Sequence, residues 1–147
     1  MNDGGPVNGG GTAAAAGRVG TVGPVAVRAV RAVRGAVQVD VDERDVVLDA
    51  TRELVSEVIR VNELSLDDFI SVLFTCTADL TSEFPAVAAR ELGMGDVPLM
   101  CARELEIAGS MPRVIRLMAH VETTLPRSDV RHVYLRGAQA LRRDIAQ

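Results

Sequence analysis

A chain of 147 residues, 48% of them hydrophobic, is long enough to bury one core and too short for two ordinary domains. Three Phe, one Tyr, no Trp and a net charge of -4 leave neither the stacking platform nor the basic surface that nucleic-acid binding uses. Every one of the 16 basic residues is Arg, which excludes Schiff-base lysines, pyridoxal-phosphate chemistry and Walker-type phosphate loops.

The first 24 residues hold eight of the 13 glycines and an alanine run without helical or strand period, so residues 1–24 read as a disordered tail and residues 25–147 as the domain. From Val27 to Arg34, apolar residues interleaved with Arg and stopped by Gly35 predict a strand. Asp42, with Asp45 three residues on, is the expected N-cap of a long amphipathic helix over 43–62, whose buried face carries Val47, Ala50, Leu54, Val58 and Val61. Ser65 and Asp67-Asp68 predict a capped turn before Phe69–Thr75, a run apolar on both faces and hence expected to be a central strand.

Pro85 and Gly93 bracket a short helix over 84–93, and Val97–Cys101 reads as an edge strand because Pro98 cannot donate to a ladder. Residues 113–123 form a long strand with one plainly apolar face, Ile115, Leu117, Ala119 and Val121. Its other face mixes Val114, Arg116, Met118, His120 and Glu122, which suits a wall that is partly interface and partly ligand site. Val130–Leu135 is the last strand, followed by a short tail through Leu141-Arg142. The fold class is therefore α+β: a mixed sheet of about five strands, one long helix and short helical turns. One helix covers one sheet face, so the other needs a partner, and oligomerisation is expected.

Cys76 and Cys101 are too few for a disulfide scaffold and lack metal-ligand spacing, which fits a reduced, cytoplasmic protein. No apolar run approaches the roughly 18 residues of a membrane span, and no signal-peptide pattern opens the chain. Cys101 reads as a nucleophile or as a packing residue, and His120 and His132 as strand residues without metal spacing. What remains is Arg34, Arg90 and Arg116, with Glu104 and Tyr134. Scattered, these are surface ion pairs; converging, they form a pocket for a small dianion that also carries a hydroxyl.

At these residues the chain resembles the AroH-class chorismate mutases. The resemblance rests on Val33-Arg34-Gly35-Ala36, Phe84 to Leu92, Val97 to Glu104, Ile115-Arg116 and Arg131-His132-Val133-Tyr134-Leu135, which occur in the family's order and spacing over roughly residues 29–143. It implies a homotrimer whose sheets pack into a pseudo α/β-barrel with active sites between subunits. It implies conversion of chorismate to prephenate, in phenylalanine and tyrosine biosynthesis, without cofactor or metal.

Carried over by position, Arg34 binds a substrate carboxylate and Tyr134 hydrogen-bonds beside it, while Glu104 and Cys101 hold the ring hydroxyl. The loop Met100, Cys101, Ala102, Arg103, Glu104 supplies backbone contacts. Phe84 lines the cleft from the neighbouring subunit, Arg90 stands near its mouth, and Arg116 faces the ether oxygen. The chain departs from the family pattern at Val87, where a Lys can occur, at Met100, where Thr is common, and at Ser110, where a second Gly can stand.

The family's [3,3] rearrangement needs no nucleophile or proton donor, in keeping with the missing motifs. Two rival readings are a non-catalytic trimeric ligand-binding module on the same scaffold and a trimeric enamine/imine deaminase of the RidA kind. Neither calls for Arg34, Glu104, Arg116 and Tyr134 together.

Overall fold

The structure is a computed structural model that describes residues 1–5, 17, 20 and 26–144; the expected disorder of the tail falls largely outside them. In chain order the elements are β1 (Ala29–Gln38), α1 (Arg44–Val61), β2 (Phe69–Cys76), α2 (Pro85–Glu91), β3 (Leu99–Arg103), β4 (Val114–Thr123) and β5 (Val133–Leu135). Short 3-10 turns stand at Leu66–Asp68 and Arg127–Asp129, and a longer 3-10 segment, Arg136–Asp144, closes the chain.

The five strands form one mixed sheet in the order β3-β2-β4-β1-β5. β4 is antiparallel to both β1 and β2, while β3 runs parallel to β2 and β5 parallel to β1. β2 is an inner strand, flanked by β3 and β4, as the apolar run Phe69–Thr75 suggested. Only one of its two sides is buried in the single chain. Phe69, Val72 and Phe74 enter the core, helped by a bulge between Phe69 and Ser71, whereas Ile70 and Leu73 stay exposed in the single chain.

α1 forms where apolar residues recur at spacings of three and four, and Val47, Leu48, Ala50, Leu54, Val55 and Val58 are all buried against the sheet. Each large aliphatic or aromatic side chain so buried contributes about 1.5–3 kcal/mol. Gly35 lets the helix come close: a Cβ there would stand 3.0 Å from Leu54 Cδ1 and 3.3 Å from Leu117 Cγ. Glu43, not Asp42, occupies the N-cap position, without a side-chain cap. Asp42 is drawn off by tertiary partners, accepting from Thr81 N–H and Oγ1 at 3.0 Å each and from Ser82 N–H at 3.1 Å, which ties the start of α1 to the loop before α2.

α2 begins with Pro85 in its first turn and ends before Gly93, whose φ of +104° is a conformation that suits glycine. It spans Pro85–Glu91 rather than 84–93 and packs on α1, so the two helices share one sheet face. Other bounds shift similarly. β1 runs through Gly35 to Gln38 because β4 pairs with it throughout, and β3 begins after Pro98, whose carbonyl accepts the Val72 N–H at 3.0 Å. β5 keeps only Val133–Leu135 of the expected 130–135, since only three residues pair with β1.

The opposite sheet face is largely uncovered. The closing 3-10 segment folds over one end of it, burying Ala36, Val114 and Ala138 beside Tyr134, Met111 and Leu141. Beyond that cover, Val30, Leu73 and Met100 remain 55%, 38% and 66% exposed, an apolar surface of the kind that monomers rarely leave bare.

Candidate active site

Strand register builds the site. On the uncovered face Ala102, Thr75, Arg116, Ala36 and Tyr134 stand in one rank across all five strands. Two residues along, Met100, Leu73, Met118 and Arg34 form a second rank across four strands. Ala36 is the small member between Arg116 and Tyr134, and the space it leaves belongs to a pocket of about 280 Å³ lined by Arg34, Leu73, Thr75, Arg116, Met118 and Tyr134 among others.

Arg34 reaches this face because arginines three apart on a strand alternate sides. Arg31 turns the other way, its Nε donating to Leu125 O at 3.1 Å. Glu104 sits in the loop just after β3, its N–H donating to Cys76 O at 2.9 Å as one further rung of the β2–β3 ladder. Its carboxylate Oε1 accepts from Thr75 Oγ1 at 2.7 Å and stands 3.1 Å from Arg116 Nε. The Glu104 side chain is 16% exposed and that of Arg116 46% exposed, so a mostly buried acid anchors a cation that still opens to the face. Among the described residues, Glu104 Oε2 and the terminal nitrogens of Arg116 have no other ion-pair partner.

The remaining expected residues lie elsewhere. Cys101 pairs with Phe74 and shares its inward side, so one chain does not place the thiol on the face that carries Arg116. It lines a second depression of about 360 Å³ with Cys76, Phe84, Ala102 and Arg103. Phe84, 68% exposed, stands at the lip of α2, and Arg90 is exposed at the end of that helix. Arg103 makes a surface pair with Glu106 at 3.3 Å. Burial, then the neighbouring Cys101 and Glu104, pushes the Cys76 thiol up to about 12, so it remains protonated and is no nucleophile.

Thr75, which orients Glu104, was missed by sequence reasoning. Its one local signal is its place at the polar end of an otherwise apolar strand, and only the pairing with β3 and β4 gives that hydroxyl a partner. His120 stands 3.4 Å from Ser71 Oγ. Among the described residues no group of three or more His, Cys, Asp or Glu side chains gathers to hold a metal, and no helix is long and apolar enough to cross a membrane.

Residues 30–145 match the family model described as chorismate mutase type I. Over 112 residues, 76% of this chain and 92% of the relative, the sequence is 49% identical to chorismate mutase AroH of Thermus thermophilus. It is 36% identical over 113 residues to chorismate mutase AroH of Bacillus subtilis, covering 76% of this chain and 89% of that one. A solved structure of a chorismate mutase from Clostridium thermocellum superposes with a TM-score of 0.74 at 42% identity, over 75% of this chain and 98% of that one.

Proposed function

Since the chain belongs to the type I chorismate mutase family and converts chorismate to prephenate, we propose that it does so at the Arg34, Glu104, Arg116 and Tyr134 face, closed by a neighbouring subunit of a homotrimer. The observation that carries this reading is the rank of Thr75, Arg116, Ala36 and Tyr134, with Glu104 bound to two of its members. A second depression lined by Phe84, Cys101, Ala102 and Arg103 supplies the other wall, brought from the next copy. The apolar surface of Val30, Leu73 and Met100 supports burial between copies. The catalytic domain is read as residues 25–147, in the cytoplasm, with residues 1–24 outside the fold.

The reaction breaks a carbon–oxygen bond and forms a carbon–carbon bond within one molecule, so the protein's task is to fold the enolpyruvyl arm over the ring and to meet charge as it develops. Arg34, with Tyr134 beside it, holds a carboxylate, and Glu104 Oε2 accepts the ring hydroxyl; together they remove rotational freedom from the substrate. Arg116, its Nε steered by Glu104, presents its remaining N–H groups to the ether oxygen. That contact strengthens as negative charge builds there, so it stabilises the transition state more than the substrate. Arg90 and the Met100–Glu104 segment, which is strand β3 up to Arg103 and not the loop expected, complete the binding wall. A non-catalytic module or a RidA-like deaminase gives no comparable role to this set.

Loss of chorismate ultraviolet absorbance on adding purified protein is the direct test, and absorbance that decays no faster than without protein defeats the reading. Glu104→Ala should lower kcat about a hundredfold, the scale expected when a catalytic group shifts by about 1 Å. Sedimentation and the melting temperature should hardly change, because the Arg116 left without its partner is 46% exposed in the single chain and keeps water. Unfolding of the variant would instead make Glu104 a structural residue.

A further inference from the structure

The Arg34 backbone lies at a break in the sheet. β5 pairs with β1 only from Gly35 onward, yet the Arg34 N–H does not go unpartnered: it donates to His132 Nδ1 at 3.0 Å. The imidazole takes the place of the strand carbonyl that β5 lacks at that rung. The loop carrying His132 is held in turn by Asn62, 2% exposed at the end of α1. Its Oδ1 accepts the Arg131 N–H at 2.8 Å, and its Nδ2 donates to Arg131 O at 2.9 Å and to Val58 O at 3.0 Å. An unbroken line of bonds therefore runs from α1 through the Arg131 peptide groups and His132 to the backbone of Arg34.

We propose that His132 is a positioning residue for substrate binding: its neutral ring, set by the Asn62 clamp, fixes the β1 backbone from which the Arg34 guanidinium reaches a substrate carboxylate. The inference rests on the reading of Arg34 given above. As acceptor at Nδ1, the ring carries its one proton on Nε2, and a proton on Nδ1 would turn the acceptor into a donor facing a donor.

The charges around the ring favour the neutral form. Arg31, Arg34 and Arg127 line one depression with the ring, and Arg60, Arg131 and Arg142 line another with it. Glu63 and Asp129 are the acidic residues lining the second of these depressions. Burial first, then Arg34 and Arg142, holds the imidazole below the usual histidine range. A depressed histidine is neutral, and the bond intact, above its titration; the bond is lost as pH falls through it, on the acid side of ordinary histidine.

The test combines NMR of the full chain with kinetics across that pH range. The Arg34 amide resonance should move with the same midpoint as the His132 ring, and KM for chorismate should rise about tenfold, the worth of one hydrogen bond, with kcat changing less. His132→Asn, which offers an acceptor that does not titrate, should abolish this acid limb and bind better than His132→Leu, whose KM should be raised at every pH. An Arg34 amide indifferent to the His132 titration, or an acid limb that persists in His132→Asn, overturns the proposal, and the wild-type titration decides even if His132→Leu does not fold. Arg34→Ala separates the two levels. Unchanged KM in that variant defeats the role of Arg34, whereas raised KM there, with His132 variants that behave as wild type, defeats only the positioning.

Discussion

With citrulline in place of Arg116, kcat on chorismate should fall by two to three orders of magnitude, about the loss of one preorganised donor in a dry site, while KM moves only a few-fold. Citrulline keeps the length and planarity of the side chain and some of its N–H groups but removes the charge. The substrate's ether oxygen carries little charge in the ground state, so little binding is lost; the transition state carries more, and the whole penalty appears there. Glu104 sharpens the effect. Its carboxylate stands 3.1 Å from Arg116 Nε, and without the guanidinium it would face the developing negative charge uncompensated. Near-normal turnover in the citrulline variant would mean that geometry alone carries the rate, since the one contact worth about 3 to 4 kcal/mol would have proved dispensable.

Leu73→Asp should convert the proposed trimer to a folded monomer without measurable turnover. Leu73 is 38% exposed in the single chain, so its aspartate is solvated there and costs the fold little. Between copies the same carboxylate would be taken out of water against Met100 and Met118, a penalty of several kcal/mol that the apolar part of the interface does not tolerate. Leu73 also lines the pocket beside Arg116, so activity alone does not decide the matter. Sedimentation does, with far-UV circular dichroism as the control for folding. A variant that still sediments as a trimer places the interface elsewhere, and a wild-type monomer with full activity removes the need for a second subunit.

Much of the fold was legible beforehand, and the reasons are local. The three-and-four spacing of Val47, Ala50, Leu54 and Val58 determines which side of α1 is buried, whatever it packs against. Pro85 and Gly93 bracket α2 through their own backbone preferences, and the alternation from Ile115 to Val121 sets the inner face of β4. Errors arose where a residue had two possible partners. Asp42 carries the signature of a helix cap, but the Thr81 and Ser82 N–H groups, far along the chain, bind it instead. The apolar run of β2 places it correctly inside the sheet but does not tell that its second side is the uncovered face.

Residue types and their spacing left Arg34, Arg90, Arg116, Glu104 and Tyr134 as either surface ion pairs or a converging pocket, with the family resemblance giving their roles, and showed that the chain has too little helix to cover both sides of its sheet. Whether the side chains meet depended on register. The pairing of β4 with β1 and β2, and of β5 with β1, joins segments remote in sequence, and a slip of one residue in any of them would send Arg116 or Tyr134 to the other side. Local propensity carries no information about such pairings; they are chosen when distant apolar faces are buried together. The same long-range packing separates Cys101 from Arg116 within one chain, gives Glu104 its Thr75 partner, and sets the His132 ring against the Arg34 backbone.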